Sequence, residues 1–392
     1  MKKDLLYTLS GNATLQVTSI ISSIIISIYY TPKDLGNYSL LLLISSILAT
    51  LYTLRSETLI IIEPDDKQAK NFYHFAQNLS FIMFIITTIV CLLIVLILND
   101  YYFYIFLPFL AFVTSNQLIE RETYFRNSEF KQEAIISGVR GLINNILQLA
   151  FKNIPNSLIL SKLISETTYI IQSNLKNKFN IKFSIIKTIE TYRANTTALL
   201  NLTANRILQN ISNNGFYYIT TIFFGLTKLG LVTLATKVIQ LPANFMGEGL
   251  SKIFEKYQLN KDKNEFKNFT IRFYFTILAI SLITGFSIGT VSYFNFFNIL
   301  PSKWSTVSGM ALILSPIVIA NITNAFIISC FKIKKKLTLF NKIELSESFI
   351  KGIVLIYLGY NSDFNYYLLS YSILSICFHF IKVIFLYKVI IE

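Results

Sequence analysis

Charge is scarce in this chain. Only 14% of its 392 residues are Asp, Glu, Lys or Arg, against about 25% in soluble domains. Cysteine and histidine are scarcer still. Cys91, Cys330 and Cys377 are the three cysteines and His74 and His379 the two histidines. All three cysteines sit in apolar runs, so neither a disulfide framework nor a metal site is expected. The histidines have no acidic neighbour at helical spacing and read as incidental. No G-x-x-x-x-G-K-[ST] loop is present, which excludes ATP binding by that route. No nucleophile elbow is present either. The apolar run after Lys2 and Lys3 is too long for a signal peptide and has no small-residue cleavage site, so it reads as a first membrane span.

What is abundant is apolar surface: 53% of the residues are hydrophobic, and the mean hydropathy is +0.53. A spanning helix needs about 20 mostly apolar residues. Twelve segments meet that need: 8–30, 36–54, 77–98, 101–119, 134–151, 157–174, 196–223, 229–250, 271–293, 306–330, 337–358 and 365–387. Numbered as spans 1 to 12, the fifth, sixth, seventh and eleventh are polar enough to fail a plain hydropathy test. The fold class expected is an all-α membrane protein with about 12 transmembrane helices in two six-helix lobes. The loops from 175 to 195 and from 251 to 272 are each expected to suit a surface-lying amphipathic helix.

The formal charge of +14 is placed unevenly. With the N-terminus inside, 26 of the 35 Lys and Arg residues fall in inner segments and four (Lys33, Lys152, Lys228, Lys303) in outer loops. That asymmetry puts both termini in the cytoplasm. It assigns the basic charge to anionic head groups rather than to nucleic acid. Lys382 is counted here among the inner cations. Trp304, in the longest outer loop, reads as an interface anchor.

The chain also repeats itself. Tyr29-Tyr30-Thr31-Pro32-Lys33-Asp34-Leu35-Gly36 and Phe223-Phe224-Gly225-Leu226-Thr227-Lys228-Leu229-Gly230 share an aromatic pair, four turn residues, then Leu-Gly. The offset is 194 residues, near half the length. Each stretch joins two spans. Six spans per half is an even number, so the halves are expected to insert in the same orientation as a parallel pseudo-repeat, 1–195 and 196–392.

A Lys or Arg at the centre of a lipid-facing helix costs about 2.5–3.5 kcal/mol. The five basic residues left after the inner and outer ones are counted, Arg140, Lys162, Arg206, Lys237 and Lys351, lie within the spans. Their neighbours fall on one helical face. Arg140 aligns with Asn144 and Gln148, Arg206 with Asn210 and Asn213, and Lys237 with Gln240, Asn244 and Glu248. Asn12, Gln16, Ser19 and Ser23 make a stripe in span 1 at positions matching that of span 7. Lys162 with Glu166, and Glu347 with Lys351, are spaced to pair along one helix. Such stripes either glue helices together or line a polar cavity. The cavity reading takes Arg140, Arg206, Lys237 and Lys351 as substrate-binding cations. Asn12, Gln16, Asn144, Gln148, Asn210, Gln240 and Asn244 are its polar lining. Glu57, Glu166 and Glu248 are the candidate coupling carboxylates for H⁺ or Na⁺. No catalytic residue, metal or other cofactor is expected.

The run Tyr29 to Ser39, followed by Leu54-Arg55-Ser56-Glu57, resembles the first two spans of bacterial polysaccharide flippases of the Wzx type. Phe223 to Gly230, continuing through Val238-Ile239-Gln240-Leu241-Pro242 to Ser251-Lys252-Ile253-Phe254, resembles the same family. The resemblance implies a two-lobed transporter of the multidrug/oligosaccharidyl-lipid/polysaccharide superfamily with a cationic central cavity. It implies transfer of undecaprenyl-diphosphate-linked oligosaccharide across the bacterial inner membrane for O-antigen, lipopolysaccharide or capsule assembly. A polysaccharide polymerase and a chain-length regulator are the partners this implies, beside membrane lipids. Only Arg55 and Glu57 carry over by motif. Two other readings compete: an ion-coupled multidrug exporter of the same superfamily, which would want acidic cavity residues, and a membrane-embedded polysaccharide polymerase, which would want a sizeable outer loop.

Overall fold

In hydrocarbon a backbone must satisfy its own hydrogen bonds, and a helix does so locally. The computed structural model describes the backbone of residues 2–98, 102–177, 184–258, 263–294, 301–334 and 336–391, and among these no strand occurs. Side chains within 1–13 and 241–264 lie outside the description almost throughout. Thirteen α-helices are described: α1 (Lys2–Tyr29), α2 (Pro32–Thr53), α3 (Ser56–Ile62), α4 (Asp66–Leu98), α5 (Phe106–Arg126), α6 (Phe130–Ala150), α7 (Ser157–Asn177), α8 (Ile185–Gln258), α9 (Lys263–Tyr293), α10 (Thr306–Leu314), α11 (Ile317–Ile333), α12 (Leu337–Asn361) and α13 (Phe364–Ile391).

Each expected span has its helix, with three departures. First, spans 7 and 8 belong to one helix of 74 residues, which would be about 110 Å long if straight. It is not straight: the Tyr217 hydroxyl donates to Thr236 Oγ1 at 3.1 Å. Nineteen residues of straight helix would hold these groups about 28 Å apart. The chain reverses near Gly225, whose φ of +79° only glycine adopts without strain. Second, span 10 is two helices, α10 and α11, bent by 53° where Pro316 withholds a backbone N–H. Third, the inner loops are largely extensions of neighbouring helices. Among the described residues α8 begins at Ile185 and α9 at Lys263, and the short α3 was not expected.

By length and composition alone five described helices could cross a membrane, and the α10–α11 pair makes a sixth. The remainder are the hairpin counted once as α8 and the shorter or more polar α1, α5, α6, α7 and α12. Asn, Gln, Glu, Lys and Arg depress the hydropathy of α5, α6, α7 and α12.

The chain divides into two compact units, Met1–Tyr30 with Asn37–Ile211, and Thr31–Gly36 with Ser212–Glu392. The sequence places the junction at 195/196; the packing places it at Ile211, inside α8. Within the first unit α4 packs on α5, α5 on α7, and α6 on α7; within the second α9 packs on α11, α11 on α13, and α12 on α13. In span numbers these are 3–4, 4–6 and 5–6, then 9–10, 10–12 and 11–12. The same packing scheme thus recurs.

The six residues Thr31–Gly36, which lead into α2, count with the second unit, where two glycines permit close backbone contact. A methyl on Gly36 would overlap the carbonyl oxygen of Leu226, and a methyl on Gly230 that of Pro32. Position 226 is the repeat mate of 32, and 230 of 36, so the contact is reciprocal. Leu35 and its mate Leu229 are both fully buried. Only a residue without Cβ permits such backbone approach. We expect Gly36→Ala and Gly230→Ala each to destabilise the purified protein by about 1–3 kcal/mol through overpacking, seen as a lowered thermal midpoint. Gly352→Ala, with no atom within 4 Å of the added methyl, should leave it unchanged or raise it.

Candidate functional site

Three polar clusters stand inside the two units. The first forms where α2 gives way to α3. Arg55 takes a left-handed conformation, φ 58°, and the kink turns the next residues inward. Glu57 is fully buried. Its Oε1 accepts from Arg55 Nη1 at 3.0 Å, while its Oε2 is buried with no hydrogen-bond partner. Ser56 Oγ caps the break by donating to the Thr53 carbonyl at 2.6 Å. Arg206, on the first arm of α8, lies within electrostatic reach of both Arg55 and Glu57. One turn further, Asn210 donates to Ser46 Oγ at 2.8 Å. Within its unit Arg206 remains exposed.

The second cluster joins α6 and α7. Glu166 is almost wholly buried and is held by two cations. Lys162 Nζ approaches Glu166 Oε1 at 2.5 Å from the same helix. Arg140 Nη1 donates to both carboxylate oxygens at 3.1 Å and lies over the Tyr169 ring.

The third cluster joins α12 and α13. Lys351 Nζ contacts Glu347 Oε1 at 2.5 Å and donates to Ser375 Oγ at 3.0 Å. Lys382 Nζ contacts Glu347 Oε2 at 2.8 Å and Glu344 Oε1 at 3.2 Å. Next to it His379 is buried against Thr323 Oγ1 at 3.3 Å. The two triads share one plan, a Lys–Glu pair four residues apart on one span completed by a cation from the neighbouring span. They occupy spans 5–6 and 11–12, which correspond in the repeat.

These contacts sort the expected site residues. Arg140 is bound to Glu166 rather than facing open space, and Lys351 to Glu347. Gln148 is 1% exposed and joins helices: it accepts from Ser22 Oγ at 3.0 Å, and its carbonyl accepts from Tyr30 at 2.8 Å. It is helix glue, not cavity lining. Asn144 is half-buried with its Oδ1 unpartnered. Gln16 and Lys237 are half-buried, and Gln240 is exposed. The side chains of Asn12, Asn244 and Glu248 lie outside the described residues.

Two expectations need correction. Lys382 is not part of an inner tail but is 6% exposed and anchored in the third cluster. Its place inside span 12 was the available signal. Trp304 does not face an interface: it is fully buried in the second unit. His379 is a packed, hydrogen-bonded part of that unit's interior. Among the described residues no group of His, Cys, Asp and Glu could hold a metal ion.

The sequence profile of a family described as polysaccharide biosynthesis protein matches residues 25–309, most of the chain. The chain belongs to that family. No curated protein matches the sequence. Solved structures match the fold at low identity. A lipid II flippase, MurJ, in an inward closed conformation has a TM-score of 0.75 at 13% identity, covering 97% of this chain and 87% of its own. An inward-facing multidrug resistance MATE family transporter of the MOP superfamily has 0.66 at 11%, covering 98% of each chain. A MOP superfamily transporter from Pyrococcus furiosus, described as having a binding pocket of reversed polarity, has 0.61 at 11%, covering 98% and 94%. The fold of this family member is that of the MOP transporters, and the chain is a multi-pass membrane protein.

Removing one partner of a buried ion pair strands the other charge and costs about 3–5 kcal/mol. Glu166→Gln strands Arg140 and Lys162 and should lower thermal stability by that order. Lys162→Met leaves a balanced Arg140–Glu166 pair and should cost less. Unfolding midpoints of the two variants, compared in detergent, check that ordering.

Proposed function

We propose that this protein is a flippase. It moves undecaprenyl-diphosphate-linked oligosaccharide repeat units from the cytoplasmic to the outer leaflet of the bacterial inner membrane, for assembly of O-antigen or capsule. Family membership and fold support the transporter part of this reading. The observation that supports the substrate part is Arg206, an exposed guanidinium within electrostatic reach of Arg55 and the buried Glu57. A guanidinium binds phosphate oxygens in a two-pronged fashion. The pyrophosphate head meets it, the prenyl chain stays in lipid, and rocking of the six-span units exposes the head outward. Two negative charges moving toward a positive exterior gain about 4.6 kcal/mol per 100 mV. Lys237, half-buried on the second arm of α8, is a further candidate contact for the head. A coupling ion, H⁺ or Na⁺, resets the carrier. The partners that follow are the polymerase that consumes the flipped unit and the regulator of its chain length.

The likeness to MATE transporters supports the second reading, an ion-coupled multidrug exporter. The excess of cations over carboxylates at the first cluster weighs against a cationic drug as substrate.

A charge-assisted bond is worth about 1.5–3 kcal/mol. Arg206→Ala should therefore lower surface polysaccharide by about tenfold or more when it complements a flippase-deficient strain, at unchanged protein level. Arg206→Lys should recover part of the loss. Normal polymer from the alanine variant removes Arg206 from the substrate path.

A further inference from the structure

The first arm of α8 carries more polar surface than Arg206 alone. Asn201, Asn205 and Gln209 recur every four residues, so their carboxamides follow one another along one face, over about 12 Å of helix. All three are exposed within their unit. Among the described residues none of the three side chains has a hydrogen-bond or ionic partner. Asn210, next in sequence, behaves differently: it is 9% exposed and donates to Ser46.

The arm divides into three sectors at the helical step of about 100° per residue. Leu199, Thr203 and Asn210 fall together and are buried, so they form the seam against the unit. Leu200, Leu208 and Ile211 lie to one side of that seam and are exposed, which suits lipid. The three amides lie to the other side, with Arg206 between them and the seam. Carboxamides without partners are costly in hydrocarbon, so this sector calls for a polar occupant. Between Ala194 and Ser212, Arg206 is the one charged residue. A lipophilic cation would find no carboxylate there, and a second anionic group no second cation. A carboxamide both donates and accepts hydrogen bonds, as a sugar hydroxyl does.

We propose that Asn201, Asn205 and Gln209 form a binding track for uncharged, hydroxyl-rich sugar residues, continuous with Arg206. The track rests on the flippase reading and deepens it: Arg206 takes the diphosphate, and the amides take the sugars joined to it. It gives the carrier a preference for glycosylated over bare prenyl diphosphate. The rival occupant is another helix, fastened by the same amides.

Purified full-length protein in detergent is titrated by calorimetry with two probes: geranyl diphosphate, and geranyl diphosphate bearing a trisaccharide of neutral hexoses. Thermal midpoints are recorded alongside. The wild type should bind the glycosylated probe about tenfold tighter or more, the sum of several modest neutral hydrogen bonds. A triple variant, Asn201→Ala with Asn205→Ala and Gln209→Ala, should lose that advantage and keep the wild-type affinity for the bare probe. Alanine favours helix and breaks no bond here, so the variant's midpoint should hold or rise. Asn205→Gln alone keeps a carboxamide and should retain most of the advantage. Three results overturn the track: equal affinity of the wild type for both probes, an undiminished advantage in the triple variant, or a lowered midpoint in that variant, which would make the amides helix fasteners. Where the bare probe binds and the sugar adds nothing, the track fails and the flippase reading stands. Where neither probe binds, both fail.

Discussion

A charge inside a membrane-spanning bundle has to be matched by an opposite charge, by water or by a ligand, because lipid offers none of these. That constraint organises both units. Each places a Lys–Glu pair four residues apart on one span and brings a second cation from the adjoining span: Arg140 to Glu166, and Lys382 to Glu347. Breaking such a pair strands a charge, so the triads fasten spans 5 to 6 and 11 to 12 in register. They differ in balance. The second unit adds Glu344 to its triad, making two carboxylates for two lysines, whereas the first holds two cations on Glu166 alone. The duplication visible in the turns thus extends to where charge is buried, though not to the residues that carry it.

The same accounting separates structural cations from available ones. Arg140 and Lys351 are engaged by carboxylates within their own units. Arg206 stands exposed beside a pair that already neutralises itself. An anion can approach a guanidinium of that kind without first breaking a buried ion pair. The first unit therefore holds a charge able to meet a polar head group.

Much of this was legible in the sequence, and what was not has physical causes. Apolar length and spacing located every span, since helix formation in lipid depends on local properties alone. The Gly225 reversal was readable because its residues repeat those at Tyr29 to Gly36. The pairs Lys162–Glu166 and Glu347–Lys351 were readable from helical spacing. Partners from other helices were not. Nothing local tells that Arg140 meets a residue 26 positions away, or that Asn210 meets Ser46 from 164 away. Periodic polar stripes are equally consistent with glue and with lining, and Gln148 proved to be glue. Trp304 misled because an aromatic in an outer loop fits an interface and a folded-in cap alike. The break at Pro316 was not expected, because the apolar run continues through it.

The central claim is that buried cations are matched by carboxylates while an exposed one serves an anionic, lipid-linked head group. The most direct test is a leaflet assay in proteoliposomes containing the purified protein and a prenyl-diphosphate oligosaccharide carrying a labelled sugar. A membrane-impermeant probe of the sugar reports its side of the bilayer. The account predicts protein-dependent movement of the label to the opposite leaflet, accelerated by an inside-negative potential in vesicles whose protein faces as in the cell. No movement of the label, together with gradient-driven export of a lipophilic cation by the same vesicles, would contradict it.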